Sequence, residues 1–116
     1  MRHHVKGRNL GRQRNQRAAL LKSLIRSLIL HERISTTEAK AKEMRPMVEK
    51  LVSRARVDTV ANRRLVASRI GDIEATTKLF GAIAPRYKDV AGGYTRIVKR
   101  APRADGRRTA YIAFTK

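Results

Sequence analysis

The apolar positions fall into two periodicities along the chain. From about Gln13 to His31, Leu21, Leu24, Ile25 and Leu28 recur at i, i+3, i+4 and i+7, the stripe of an amphipathic helix. Lys22 and Arg26, four residues apart, lie together on another face. Glu32 to Thr36 reads as turn-like or as a brief strand. Ser35 followed by Glu38 fits a capping box, and Thr36 or Thr37 could cap instead. A second helix follows to about Val57, its face marked by Met44, Met47, Val48, Leu51, Val52 and Ala55, with the methionines as core filler. Pro46 lacks a backbone donor and is expected to kink or split that helix. Asp58 or Thr59 can cap a third helix over about 59–70, with Val60, Leu65, Val66 and Ile70 as its weaker apolar set and Gly71 at its end. Asp72 can cap a fourth, with Leu79, Phe80 and Ile83 inward, and Pro85 should stop it.

The period then changes from that of a helix to that of a strand. Residues 94–100 (YTRIVKR) are rich in β-branched and aromatic types. Residues 109–115 (TAYIAFT) alternate, with Ala110, Ile112 and Phe114 on one face and Tyr111 on the other. Pro102 and Asp105-Gly106 supply turn chemistry between them. A lone hairpin is marginal in water, so this one must lie on the helices or pair with a third strand, for which residues 33–36 are the candidate. The expected architecture is α+β: one N-terminal helix, a short strand, three helices and a C-terminal β-hairpin.

Residues 1–17 fit neither pattern. They hold Arg2, Lys6, Arg8, Arg12, Arg14 and Arg17 with no acid, since the first acidic residue is Glu32. Such a stretch cannot pack a core and is expected to be extended until a partner orders it. The chain therefore divides into a basic arm, 1–17, leading into the first helix, and a single α+β domain, 18–116. At 116 residues with 4% aromatic content and no Trp, the core must be aliphatic.

Charge narrows the function classes. The chain carries 28 Lys and Arg against 9 Asp and Glu, a formal net charge of +19. A polyanion would relieve that self-repulsion, with nucleic acid the first candidate and an anionic membrane surface the second. No cysteine is present, which removes disulfides, thiol nucleophiles and thiolate metal sites. No apolar run reaches the roughly 20 residues of a membrane span. The Arg-rich, acid-poor start also fits an organelle transit peptide.

No catalytic set assembles. His3 and His4 are adjacent on the arm, and His31 has no partner at ligand spacing, so no metal site is expected. Ser35, Thr36 and Thr37 read as caps, and neither a P-loop nor a GxGxxG sequence occurs. No cofactor and no small-molecule substrate are expected. The basic residues instead form groups on the arm, on the third helix (Arg63, Arg64, Arg69) and on the hairpin (Arg96, Lys99, Arg100, Arg103, Arg107, Arg108). Arginine grips phosphate bidentately and stacks on bases. If about 8 of these reach phosphates, affinity should fall by about 10³ to 10⁵ between 50 and 200 mM salt. Tyr94, Tyr111 and Phe114 are too scattered for an RNA-recognition sheet. A helix-turn-helix over 59–84, and so a DNA-binding protein, stays open, and a membrane-active helix over 13–31 is a weaker rival.

The stretches MRH at 1–3, TTEAKAKEMR at 36–45, ANRRL at 61–65, KLF at 78–80, PRY at 85–87, GGYTRI at 92–97 and AYI at 110–112 occur together in one order. On these the chain resembles the bacterial large-subunit ribosomal protein seventeen family over essentially its whole length. The resemblance implies a two-layer α/β domain and a non-catalytic structural role in the cytoplasm. It also implies a seat on the large ribosomal subunit near the exit of the peptide tunnel, bound to ribosomal RNA and neighbouring proteins. The family's arm maps onto Arg2 to Arg17, and its glycine turn onto Gly92, Gly93, Tyr94, Thr95 and Arg96. Relatives commonly carry Ser-Ser-His-Arg where this chain has RNQR at 14–17, so only Arg17 carries over cleanly. The expected RNA-binding set is Arg2, His3, His4, Lys6, Arg8, Arg12, Arg14, Arg17, Lys22, Arg26, Lys40, Arg63, Arg64, Gly92, Gly93, Tyr94, Arg96, Lys99 and Arg100.

Overall fold

The structure, a computed structural model, describes residue 10 and residues 13–116. Helix α1 spans Arg14–His31, strand β1 Arg33–Thr37, helix α2 Glu38–Ala55 and helix α3 Val60–Ile70. Helix α4, Ile73–Lys78, runs on into a π turn at Leu79–Ile83 and a 3₁₀ turn at Ala84–Tyr87. Strands β2, Thr95–Lys99, and β3, Thr109–Phe114, complete it. The architecture is α+β, as expected from the pattern, with the helices layered on one face of a sheet.

The candidate third strand is real, and its place is informative. The sheet is antiparallel throughout with order β1-β3-β2. Ile112 of the central strand pairs with Ile34 on one side and Ile97 on the other. Side chains in register share a face, so this isoleucine row turns toward the helices and joins the core. Against it stand Leu28 and Ile29 of α1, Met44, Val48 and Val52 of α2, Val66 and Ile70 of α3, and Leu79 and Ile83, each essentially inaccessible to solvent. The core is aliphatic, with Tyr87 and Tyr94 as its largest members.

Local chemistry sets the boundaries. Thr37 caps α2, its hydroxyl accepting from the Lys40 amide at 3.3 Å, and Thr59 caps α3 in the same way through Asn62. The other candidates for the first of these caps, Ser35 and Thr36, lie inside β1 instead. Asp72 caps α4 through the Glu74 amide. Gly71 closes α3 at φ +72, a left-handed conformation that glycine adopts without a side-chain clash.

Four expectations need correction. Pro46 does not split α2, which runs through it as one helix. The proline is exposed, so the helical donor it withholds is missing on the solvent side, and the buried stripe from Ala41 to Ala55 holds the helix together. Of the methionine pair, Met47 is 41% exposed and Met44 alone fills the core. Val60, at the first position of α3, is 66% exposed, before the helix has turned its apolar face inward. Pro85 does not end the helical path; it sits at the start of the 3₁₀ turn, where a missing N–H costs nothing.

Candidate nucleic-acid interface

Six expected contacts, Arg2, His3, His4, Lys6, Arg8 and Arg12, lie outside the described residues. Arg14 and Arg17 are described, and they form the first turn of α1, so this end of the arm is helical and not extended as expected. That turn has no side-chain cap and no acid. Two cations there oppose the positive end of the helix dipole, so the local arrangement favours an external anion.

On α1, Lys22 reaches across to the Ser68 carbonyl of α3 at 3.5 Å, and its stem packs over Gly71, where any added Cβ would lie 2.6 Å from it. Arg26 is exposed one turn further on. On α3, Arg64 is exposed, whereas Arg63 is engaged: Asp58 takes two of its N–H groups, one at 2.8 Å, and its guanidinium lies 5.0 Å from the centre of the Phe80 ring. This pairing holds the Asp58 carboxyl below its usual range. Both partners are about half exposed, so the pair contributes little to stability. Lys40 is half-buried beside the Thr37 cap.

The glycine turn is placed differently from the sequence expectation. Gly92 and Gly93 are exposed, but Tyr94 is 1% exposed. Its ring meets Tyr87 edge to face at 5.1 Å. Its hydroxyl lies 3.1 Å from the Ser53 hydroxyl, accepts from Arg56 at 3.0 Å and donates to the Val90 carbonyl at 3.3 Å. A ring so enclosed fixes the turn and has no free face for a base.

The hairpin gathers the expected cations. Lys99 turns toward α2, 3.6 Å from Glu38, which Lys42 approaches more closely at 2.8 Å. Arg100 donates to the Ser35 hydroxyl at 3.0 Å. Arg96 stands on the solvent face of β2, opposite Ala113 of β3. The loop from Ala101 to Arg108 is exposed throughout. Within it Gly106 N–H donates to the Arg103 carbonyl at 2.8 Å, closing the turn read from Asp105-Gly106.

Acids explain which cations are tied. Glu32 holds Arg86 and Lys78, and its carboxyl is lowered chiefly by the Arg86 hydrogen bond. Glu38 holds Lys42, Glu49 approaches Arg45, Asp58 holds Arg63 and Asp105 approaches Arg107. Among the described residues, Arg14, Arg26, Arg64 and Arg96 have no acidic partner within ion-pair distance. One feature of this surface has no local signal in the sequence. Arg33, on β1, lies with its guanidinium 3.9 Å from the centre of the Tyr111 ring. The alternation of β3 did place Tyr111 on the outer face, but the register that brings Arg33 beside it is a long-range property.

Among the described residues, no cluster of three or more His, Asp or Glu could hold a metal ion. No helix among them is long and apolar enough to cross a membrane.

Comparison with known proteins gives one consistent match. The family model described as Ribosomal protein L17 matches residues 20–115. The large ribosomal subunit protein bL17 of Thermomicrobium roseum is 50% identical over 115 residues, covering 98% of both chains. The protein of the same name from Sphingopyxis alaskensis is 51% identical over 115 residues, covering 98% of this chain and 83% of that one.

Proposed function

From the premise that the chain belongs to the ribosomal protein L17 family, we propose that it is a structural, non-catalytic constituent of the large ribosomal subunit that binds and stabilises ribosomal RNA. The observation that carries the RNA part is the distribution of charge. The chain carries a formal surplus of nineteen positive charges, and among the described residues the exposed Arg14, Arg26, Arg64 and Arg96 have no acidic partner. Phosphate supplies the missing partner, and releasing its counterions drives binding.

The domain docks as a rigid body, because α2, α3 and α4 are capped by their own side chains and the turn at 88–94 is anchored by Tyr94. The arm, 1–17, together with the hairpin loop, brings arginine to crowded phosphates. Within the expected contact set the structure favours the exposed members that have no acidic partner among the described residues, Arg14, Lys22, Arg26, Arg64, Arg96 and Arg100, together with the exposed backbone of Gly92 and Gly93. In this reading Arg63 and Lys99, each beside an acid, and the half-buried Lys40 are secondary, and Tyr94 acts from within by holding the turn. The seat is near the exit of the peptide tunnel, beside neighbouring large-subunit proteins, in the cytoplasm.

The test is gradient sedimentation of native lysate after a moderate-salt wash, probed for this chain. It should travel with the large subunit and stay with it when the subunits are separated. A chain that remains at the top of the gradient, or follows DNA, overturns the proposal. Deleting residues 2–12 sharpens it: RNA binding at matched salt should weaken strongly while the helical content of the domain is retained.

A further inference from the structure

The sheet has two faces of opposite character, one apolar and packed on the helices, the other carrying arginines and one aromatic ring. Pairing places Arg33, Ala113 and Arg96 in one row across β1, β3 and β2, and Ser35, Tyr111 and Val98 in the next. All six project away from the isoleucine row that enters the core. Arg100 follows Arg96 and Val98 on the same face of its strand, and its guanidinium holds the Ser35 hydroxyl. No acid stands in either row. Three arginines thus share a face with one half-buried aromatic ring, and the central strand puts only the methyl group of Ala113 between Arg33 and Arg96.

We propose that this face is a platform for an unpaired RNA nucleotide. It rests on the RNA-binding reading above but differs in kind from the phosphate contacts of the arm. The Arg33 guanidinium covers one side of the Tyr111 ring at 3.9 Å. Its own outer side is planar, charged and exposed. A base stacks there, extending ring and guanidinium into a third layer, while the flanking phosphates meet Arg96 and Arg100. Guanidinium planes and aromatic rings are the surfaces on which unstacked RNA bases settle. A paired duplex offers no free base face to such a platform. An acidic peptide would use the charge but gain nothing from the stacked planes.

The discriminating variant is Arg33→Lys, which keeps the charge and removes the plane. The full chain is titrated with a fluorescent single-stranded twelve-nucleotide oligouridine and, separately, with a twelve-base-pair RNA duplex. Affinity for the single strand should fall by about 5- to 50-fold, with the duplex affinity and the salt slope unchanged. An equal change on both probes, or none on either, overturns the platform while leaving RNA binding intact. If the wild-type chain binds neither probe, the RNA-binding reading fails and takes the platform with it. Displacement of the single strand by polyglutamate as readily from wild type as from Arg33→Lys would also overturn it, identifying an acidic-peptide surface. A measurement on the unaltered chain guards against a folding defect in the variant. Photocrosslinking to a 4-thiouridine oligonucleotide should label residues of this sheet face, Arg33 foremost, and crosslinks confined to the arm and the 101–108 loop would overturn the proposal.

Discussion

The turn at 88–94 and the loop at 100–108 use the same vocabulary of glycine, arginine or lysine and an acid, yet the fold treats them in opposite ways. The first is held from several sides. Tyr94 fills the core beneath it, Arg56 donates to both the Tyr94 hydroxyl and the Lys88 carbonyl, and Thr115 N–H donates to the Tyr94 carbonyl. The second is exposed along its whole length and is closed by its own backbone. A glycine-containing turn with charged residues can therefore be locked into the scaffold or left exposed to solvent. The difference is decided by one buried aromatic side chain and not by the charge of the segment.

The sharpest way to break this contrast is to empty the first turn. Tyr94→Ala removes a fully buried ring and a shared hydroxyl, and should destabilise the domain by about 3–5 kcal/mol in urea unfolding. A loss under about 1 kcal/mol would mean the turn is not anchored through its tyrosine. Gly93→Ala isolates the backbone contribution. Gly93 has φ +67 and open space where a Cβ would stand, so the cost is conformational alone, about 1–2 kcal/mol by the same measurement.

Acid probes the same scaffolded end. Lys78 and Arg86 converge on Glu32, and Arg86 also donates to the Lys116 carbonyl at 3.0 Å, tying that end of β3 to the end of α1. The Glu32 carboxyl sits below its ordinary value, first through the Arg86 hydrogen bond. A depressed carboxyl stabilises the folded state above the unfolded-state value, about 4.3, and that stability is lost as pH falls through the folded value. Thermal midpoints should therefore drop more steeply below about pH 4.3 in wild type than in Glu32→Gln. Parallel curves would show that the cluster contributes nothing.

The smallest structural effect belongs to the free loop. Changing Arg103, Arg107 and Arg108 together to Ser should leave stability within about 0.5 kcal/mol. The same variant should lower the slope of log affinity against log salt for RNA by about two to three units. A large stability loss with an unchanged slope would reverse the assignment of the two loops.

Much of this was legible from pattern alone. The i, i+3, i+4 stripe of α1, the Thr59 and Asp72 caps, the Gly71 terminus and the alternation of β3 are local signals, and each is found where the pattern puts it. What escaped were properties set by distant partners. Tyr94 belongs to the expected RNA-binding set, and only packing against Tyr87 and α2 encloses it. Pro46 and Pro85 carried a local helix-breaking signal that position overrode, one by exposure and one by falling at the start of a turn. Met47 and Val60 lie at the margins of their helical stripes, where periodicity cannot separate a core position from a rim. The pairing of Arg33 with Tyr111 depends on the register between strands more than seventy residues apart. No short window of sequence contains it.

The strand order has a consequence for biosynthesis. The central strand is β3, the latest of the three to be made, so β1 and β2 share no partner until residues 109–114 have been added. The ribosome adds roughly 5–20 residues per second, and on that clock β1 waits for several seconds with both edges open. The helices can form and begin to collapse in that interval, but the sheet cannot be completed strand by strand. A chain cut short by ten residues would lose the middle of its sheet and not a margin, and would present two unpaired edges to whatever else is nearby.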